Sequence, residues 1–381
     1  MGTRGRAVAA STALVLLLAI TGCGDSEPQA VRVRGGETVA TPYGELVRWE
    51  LAVAVGGDEP DLLVVSRSGR YWAVSSYLEE TITVVDTVER EVRAVPALGR
   101  LDTPTAVGDD GTVYYVRRDQ ASEDRRPRAL APDSSERDLT CPDGVPTCFV
   151  RAVASDGRWL AVSTDSALWL VDTVLDESMR VPARTDAVPT ALDLNDAGIL
   201  LVRDGSLART TSLSTGRTVT VARGMAQPGA EETSPIRTGS LSDDGSVTLL
   251  TSQGYARRDS EDAASLDVYR FDGDRRPEWV SRAVGTTGLG VAVSPAGRYV
   301  AFTALPDGDA RHTQVLLWDE RTGRSTTVSV AADGTPADRD ASGDLAVSDV
   351  GQVTFVSYAR NLVPVASDTG SALFSALATT T

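Results

Sequence analysis

The 381-residue chain contains no lysine; its 37 Lys+Arg residues are all arginine. That absence excludes a Walker A phosphate loop, a Schiff-base lysine and a Ser-x-x-Lys nucleophile pair. Histidine is nearly absent as well. His312 stands alone, so a multi-histidine metal centre is excluded. It lies in the polar segment Asp307-Gly308-Asp309-Ala310-Arg311-His312, where a catalytic role would need a positioned partner, and it reads as exposed and idle. No Gly-x-Ser-x-Gly elbow occurs, which disfavours a serine hydrolase. Positive charge is in deficit: 53 acidic residues give a net charge of −16 and a pI near 4.6. An acidic surface repels phosphate backbones and argues against both a nucleic-acid partner and a polybasic membrane role. The 41% hydrophobic content still suffices for a sizeable core.

One almost uninterrupted run of small and apolar residues is present. Arg4 and Arg6 precede Ala7 to Ile20, which is too short for a comfortable bilayer span and fits an export signal. The run ends in Ile20-Thr21-Gly22-Cys23, followed at once by the polar Gly24-Asp25-Ser26-Glu27-Pro28. Small residues directly before such a cysteine resemble the lipobox of bacterial lipoproteins. The resemblance implies a signal peptide over residues 1–22, acylation of Cys23, and a lipid-anchored place at the cell membrane on its extracytoplasmic face. Residues 23–44, short of apolar periodicity and rich in small and polar residues, read as a flexible tether. Cys141 and Cys148, an even pair outside the cytoplasm, are expected to form a disulfide across Pro142-Asp143-Gly144-Val145-Pro146-Thr147, since a metal site there lacks further ligands.

From residue 45 onward one unit recurs: an apolar strand, a tight Ser/Asp-Gly turn and a second apolar strand. Gly69, Gly111, Gly157, Gly198, Gly245, Gly297 and Gly351 mark the turns, 41 to 54 residues apart. Strands follow each turn, as in Tyr71-Trp72-Ala73-Val74 and Trp159-Leu160-Ala161-Val162. A third strand ends in an apolar-Asp pair (Val85-Asp86, Val171-Asp172, Phe271-Asp272, Trp318-Asp319), and a fourth, β-branched strand completes the unit. Seven such repeats predict an all-β, seven-bladed β-propeller of four-stranded antiparallel blades over residues 45–381. The Ser-Asp-Gly-Arg turns and their strands resemble TolB-type, WD40-like propeller repeats. That resemblance implies the fold and no single function, because many functions share it.

The last repeat runs out of chain after its third strand, Ala372 to Leu377, while Val47-Arg48-Trp49-Glu50-Leu51-Ala52-Val53-Ala54-Val55 has no blade of its own. Residues 47–55 are therefore expected to close the ring by pairing with 372–377. The connections between second and third strands (117–127, 252–265, 305–312, 358–370) and between blades (141–148, 223–235, 331–343) are long, whereas the first turns are tight. Long connections should gather at one end of the ring, where binding usually lives. Residues 338–349 carry oxygen side chains at calcium-loop spacing, but strand flanks them where helices are needed. Arg125-Arg126-Pro127-Arg128 and Arg275-Arg276 are interleaved with Asp and Glu and read as solvated loops. No catalytic residue, metal site or cofactor is assigned. The expectation is a non-catalytic propeller that binds an envelope protein or cell-wall ligand. The alternative is an exported lyase or glycosidase using carboxylates near the central channel.

Overall fold

The computed structural model describes residues 32–52, 62–75, 81–96, 103–118, 125–145, 147–223, 236–253, 266–273, 277–283, 287–306, 311–363 and 372–378. They form seven antiparallel blades in a ring, a β-propeller. Blade three shows the plan: Phe149–Val153, Trp159–Ser163, Leu168–Asp172 and Glu177–Arg180 pair in chain order from the axis outward. Among the described residues the only helical turns are two short 3-10 segments, Pro142–Gly144 and Val280–Ala283.

The apolar runs are continuous because successive side chains face different neighbours. Trp159 and Ala161 pack toward blade four, against Leu194, Leu200 and Val202. Leu160 and Val162 pack toward blade two, against Tyr114 and Ala129. The buried side chains fall into seven clusters, one at each junction between consecutive blades. The molecule thus has a ring of cores, and the junction of blades seven and one is filled like the others.

That junction is closed as expected from the unpaired strand at each chain end. Strand β1 (Arg32–Ala40) and strand β2 (Gly44–Ala52) precede blade one. β2 pairs antiparallel with Ala372–Ala378, in a register that sets Val47 against Ser375 and Trp49 against Leu373. Residues 53–55 lie outside the described residues. Leu46 is buried in the cluster shared with blade six, and Val47 in the cluster shared with blade one. β2 is therefore locked on both faces, where its alternating pattern had suggested a half-buried edge.

The tether reading fails for its second half. β1 pairs with β2 from Arg32↔Ala52 to Ala40↔Glu45, making the last blade five-stranded. Thr41 and Gly44 bond each other's backbones in the connecting turn, and the Tyr43 hydroxyl donates to the Gly351 carbonyl at 2.9 Å. Gly35 and Gly36 hid this strand in the sequence, and they sit where its register shifts between Arg34 and Glu37.

Candidate functional site

The two ends of the ring differ in how their polar groups are used. At one end lie the tight first turns. All seven turn glycines adopt positive φ, from 68° to 81°, and each donates its N–H to the carbonyl three residues back. Gly198 needs its missing side chain for space as well, because a Cβ there would lie 2.7 Å from the Trp159 ring of blade three.

Six consecutive junctions are bonded from turn to turn at this end. Ser68 N donates to Asp109 (3.0 Å), Asp109 N to the Ser155 carbonyl (3.0 Å) and Ser155 N to Asp196 (2.7 Å). The Asn195 amide donates to the Ser242 carbonyl (2.9 Å), Asp243 N to the Pro295 carbonyl (2.8 Å) and Ala296 N to Asp349 (2.7 Å). At the seventh junction a Cβ on Gly69 would lie 2.8 Å from that of Ala346, so the two blades touch there directly. Three of these bonds are accepted by turn carboxylates, Asp109, Asp196 and Asp349, and three by backbone carbonyls, while Asp110, Asp156 and Asp244 accept within their own turns.

Arg67 of blade one closes this end. Six of the seven turns carry Asp, Ser or Pro two residues before the glycine, and the first carries arginine. Its side chain reaches across the axis to blades four and five. Nε donates to Asp243 at 2.6 Å, and Nη1 to both oxygens of Asp193 at 3.1 Å and to the Leu194 carbonyl at 3.2 Å. Nη2 bonds the Leu241 carbonyl. The side chain is only 7% exposed. Burial alone would depress its basicity, but Asp193 and Asp243 outweigh burial and hold it more firmly protonated than usual. The Asp243 carboxyl is pushed up, first by burial and then by the like charges of Asp196 and Asp349, which Arg67 only partly offsets. Both directions hold together because one guanidinium is shared among several carboxylates. Sequence reading missed this centre; its available signal was the lone basic residue among seven equivalent turn positions.

The apolar-Asp pairs have a structural task too. Arg70, Arg158 and Arg298, each directly after its turn glycine, form paired hydrogen bonds with Asp86, Asp172 and Asp319 at the end of the third strand. The same guanidiniums lie 4.3 to 4.9 Å over the rings of Tyr299, Trp159 and Tyr71. The Arg158 and Arg298 guanidiniums, with backbone N–H groups, hold Asp172 and Asp319 below the ordinary carboxylate range. For Asp86 burial acts upward, but Arg70 and the N–H groups of Glu89 and Val88 prevail and lower it. These carboxylates are committed to arginine and backbone.

Along the axis, six of the seven inner strands shift register against their second strand, at Pro104/Ala106, Val150/Ala152, Ala191/Asp193, Ile236/Gly239, Thr287/Val291 and Ala341/Leu345. Such bulges re-aim side chains beside the channel. Arg151, Arg237 and Asp344 lie within or beside them and are exposed. Asp344 is open to solvent yet surrounded by protein, as a group on a channel wall is. Burial pushes its carboxyl up, partly offset by the Ser342 hydroxyl at 3.2 Å. Among the described residues, Asp243 and Asp344 are the two carboxyls raised in this way.

At the other end, antiparallel strand order brings together the strand termini that carry the second-to-third and inter-blade connections. Much of 117–127, 223–235, 252–265, 305–312 and 358–370 lies outside the described residues, as do Cys23 and Arg275-Arg276. The described connections are pinned internally. Cys141 and Cys148 form the expected disulfide, with Cα atoms 5.7 Å apart, between blades two and three. The buried Asp204–Arg209 pair holds the next connection through Arg184 N, the Thr185 hydroxyl and the Pro182 carbonyl. Gln314, 2% exposed, bonds both backbone groups of Ala337 and the Ser329 hydroxyl.

His312 is 39% exposed, with Nδ1 3.8 Å from an Asp340 oxygen, so a carboxylate does stand near it, at ion-pair rather than hydrogen-bond distance. The 338–349 segment is no calcium loop. Asp338 accepts from Arg360 N and Asp340 from Thr313 N, while Asp349 belongs to the turn at the opposite end of the inner strand Ala341–Val347. Among the described residues no group of three or more His, Cys, Asp or Glu side chains gathers as a metal site. Arg128 is paired with Glu136 and Asp138, each at 2.9 Å, in keeping with a mixed-charge surface.

No known protein family and no curated protein matches the sequence. Among solved structures the chain is similar to an oligogalacturonate lyase in complex with manganese, at 12% identity over 90% of this chain and 96% of that one, with a TM-score of 0.54. It is similar to the β-propeller domain of the Trilobed protease from Pyrococcus furiosus, described as having an open velcro topology. Identity there is 13%, over 90% and 96% of the two chains, with a TM-score of 0.51. TolB from Acinetobacter baumannii aligns at 14% identity over 90% of this chain and 79% of that one, with a TM-score of 0.41, too loose to argue from. At such identities the likeness is one of fold.

Proposed function

We propose that this protein is a lipid-anchored, extracytoplasmic β-propeller that binds an envelope protein or cell-wall ligand at the end carrying the long connections, without catalysis. One observation carries the reading. At the tight-turn end Asp109, Asp196 and Asp349 are engaged in inter-blade bonds and Arg67 ties Asp193 and Asp243 across the axis, which leaves the opposite end as the place for a partner. The anchor rests on Ile20-Thr21-Gly22-Cys23 after a short apolar run. Two measurements test the proposal. In the producing cell, wild type should incorporate labelled fatty acid and fractionate with membrane, and Cys23→Ala should do neither. A photo-crosslinker at Arg311, on the long-connection end, should capture a discrete envelope component, and one at Val174, on a tight turn, should not. Capture from Val174 alone would sink the assignment of the binding end.

Asp344 supports a second reading, an exported enzyme using a channel carboxyl as general acid. Its raised carboxyl on the channel wall is the feature such chemistry needs. The other raised carboxyl, Asp243, is held by Arg67 at the closed end, so the acid role would fall to Asp344 without a matched partner. Oligogalacturonate lyase, which shares the fold, is named with manganese; among the described residues of this chain no three His, Cys, Asp or Glu side chains gather that could hold a metal. Turnover of envelope glycans that disappears in Asp344→Asn would favour the enzyme.

A further inference from the structure

We infer that the end of the propeller carrying the long connections faces the lipid bilayer, and that the acidic tight-turn end faces away from it. The inference rests on the proposed anchor at Cys23 and deepens that reading by setting how the anchored molecule sits.

A tether over residues 24–44 could let the propeller hang in any orientation. The structure turns residues 32–40 into a strand of the last blade, which leaves eight residues, 24–31, between Cys23 and Arg32. Nine Cα-to-Cα steps reach at most about 30 Å.

The point where this leash meets the fold is fixed by pairing. The turn between β1 and β2 lies at the tight-turn end, because Tyr43 there bonds the carbonyl of the turn glycine Gly351. β1 is antiparallel to β2, so Arg32, paired with Ala52, lies at the opposite end, beside Ala372 where the long connection of the last blade returns. A nine-residue strand is itself about 30 Å long. With the tight turns toward the membrane, the leash would need its full extension merely to descend the length of β1. With the long connections toward the membrane, the same leash has slack.

Charge favours the same orientation. The seven tight turns carry Asp109, Asp110, Asp156, Asp196, Asp243, Asp244 and Asp349; of the arginines there, Arg67 is buried, and Arg70, Arg158 and Arg298 are each paired with a further aspartate, Asp86, Asp172 and Asp319, so the excess is negative. The opposite end exposes Arg311, Arg339 and Arg360 beside Asp338 and Asp340 on blades six and seven. An anionic lipid surface repels the first end more than the second. The partner class follows: a membrane-embedded or membrane-adjacent envelope component, met by connections held within about 30 Å of the lipid.

The test uses the full acylated protein in vesicles of phosphatidylcholine and phosphatidylglycerol containing headgroup spin-labelled lipid. A fluorophore is attached to Arg360→Cys or to Val350→Cys, which lie at opposite ends of the same blade; Val350 is 63% exposed. The inference expects stronger quenching at position 360 than at 350. A flexible twenty-residue Gly-Ser insertion between Val31 and Arg32 should shrink that difference. Equal quenching, or stronger quenching at 350, with the native leash overturns the orientation while leaving the anchor standing. Protein that fails to float with the vesicles, or Cys23→Ala protein that still floats, overturns the anchor and the orientation together.

Discussion

The two ends of this ring are built from the same strands but stabilised by different means. At the tight-turn end a short repeated chemistry does the work: a positive-φ glycine and, at three junctions, a backbone N–H that donates to a side-chain oxygen in the next blade, closed across the axis by Arg67. At the long-connection end each described junction has its own solution: a disulfide, a buried Asp204–Arg209 pair, a buried Gln314. Repetition marks an end that must be the same in every blade for the ring to close. Individual solutions mark an end whose connections are free to differ. That division is what the proposed binding at the long-connection end rests on.

The comparison breaks most sharply at Arg67. Replacing it with Met leaves Asp193 and Asp243 facing each other and Asp196 across a closed axis without a counter-ion. Removing one partner of a buried pair costs about 3–5 kcal/mol, and the partial exposure of Asp243 places the expected loss at the low end, about 3 kcal/mol, in urea unfolding near neutral pH. The deficit should shrink on acidification, because the stranded carboxylates take up protons. A loss below about 0.5 kcal/mol, the scale of an ordinary surface substitution, would show that Arg67 does not tie the ring.

The same measurement at the other end should give a smaller effect. The Cys141–Cys148 link closes a loop of few residues, so it restricts the unfolded chain little, and replacing both cysteines with Ser should cost about 2–3 kcal/mol at most. The loss should be insensitive to pH, unlike that at Arg67, because no charge changes. Two free thiols in the unreduced, denatured wild-type protein would show that the link does not form.

What was legible in the sequence follows this division. The tight turns were readable because positive φ demands Gly and turn capping favours Asp, Asn and Ser, so the same letters recur seven times and count the blades. Closure by an upstream strand, expected at 47–55 and found at Gly44–Ala52, was readable because the last repeat lacked a strand and an alternating segment lay spare upstream. β1 was hidden, since Arg-Val-Arg-Gly-Gly-Glu-Thr-Val-Ala has few apolar residues and an outermost strand needs little burial. The Arg67 centre was hidden because it joins blades one, four and five. Contacts across an axis leave no periodic trace, only an arginine where the other turns carry Asp, Ser or Pro.

The smallest expected effect lies between the two ends, at Asp344, and there the sign is informative. Burial raises this carboxyl above its ordinary value of 3.8, and no cation stands among the causes that act on it. The folded chain therefore binds this proton more tightly than the unfolded chain does. Falling pH favours the fold through the interval from the raised value down to 3.8, and at neutral pH the ionised group costs stability. This is opposite to Asp86, Asp172 and Asp319, whose lowered values add stability above the unfolded carboxylate value and lose it as pH falls through their folded values. Asp344→Asn should accordingly be slightly more stable than wild type near neutral pH, with the gain vanishing below 3.8, where the wild-type carboxyl is protonated in both states. Asp172→Asn should do the reverse, losing stability near neutral pH and little in acid. Urea midpoints for both variants across that range separate a channel-wall carboxyl with no counter-ion from one spent on holding a blade together. If Asp344→Asn is destabilised near neutral pH, its carboxylate has a cationic partner on the channel wall, and the channel is then a charged site rather than a passive bore.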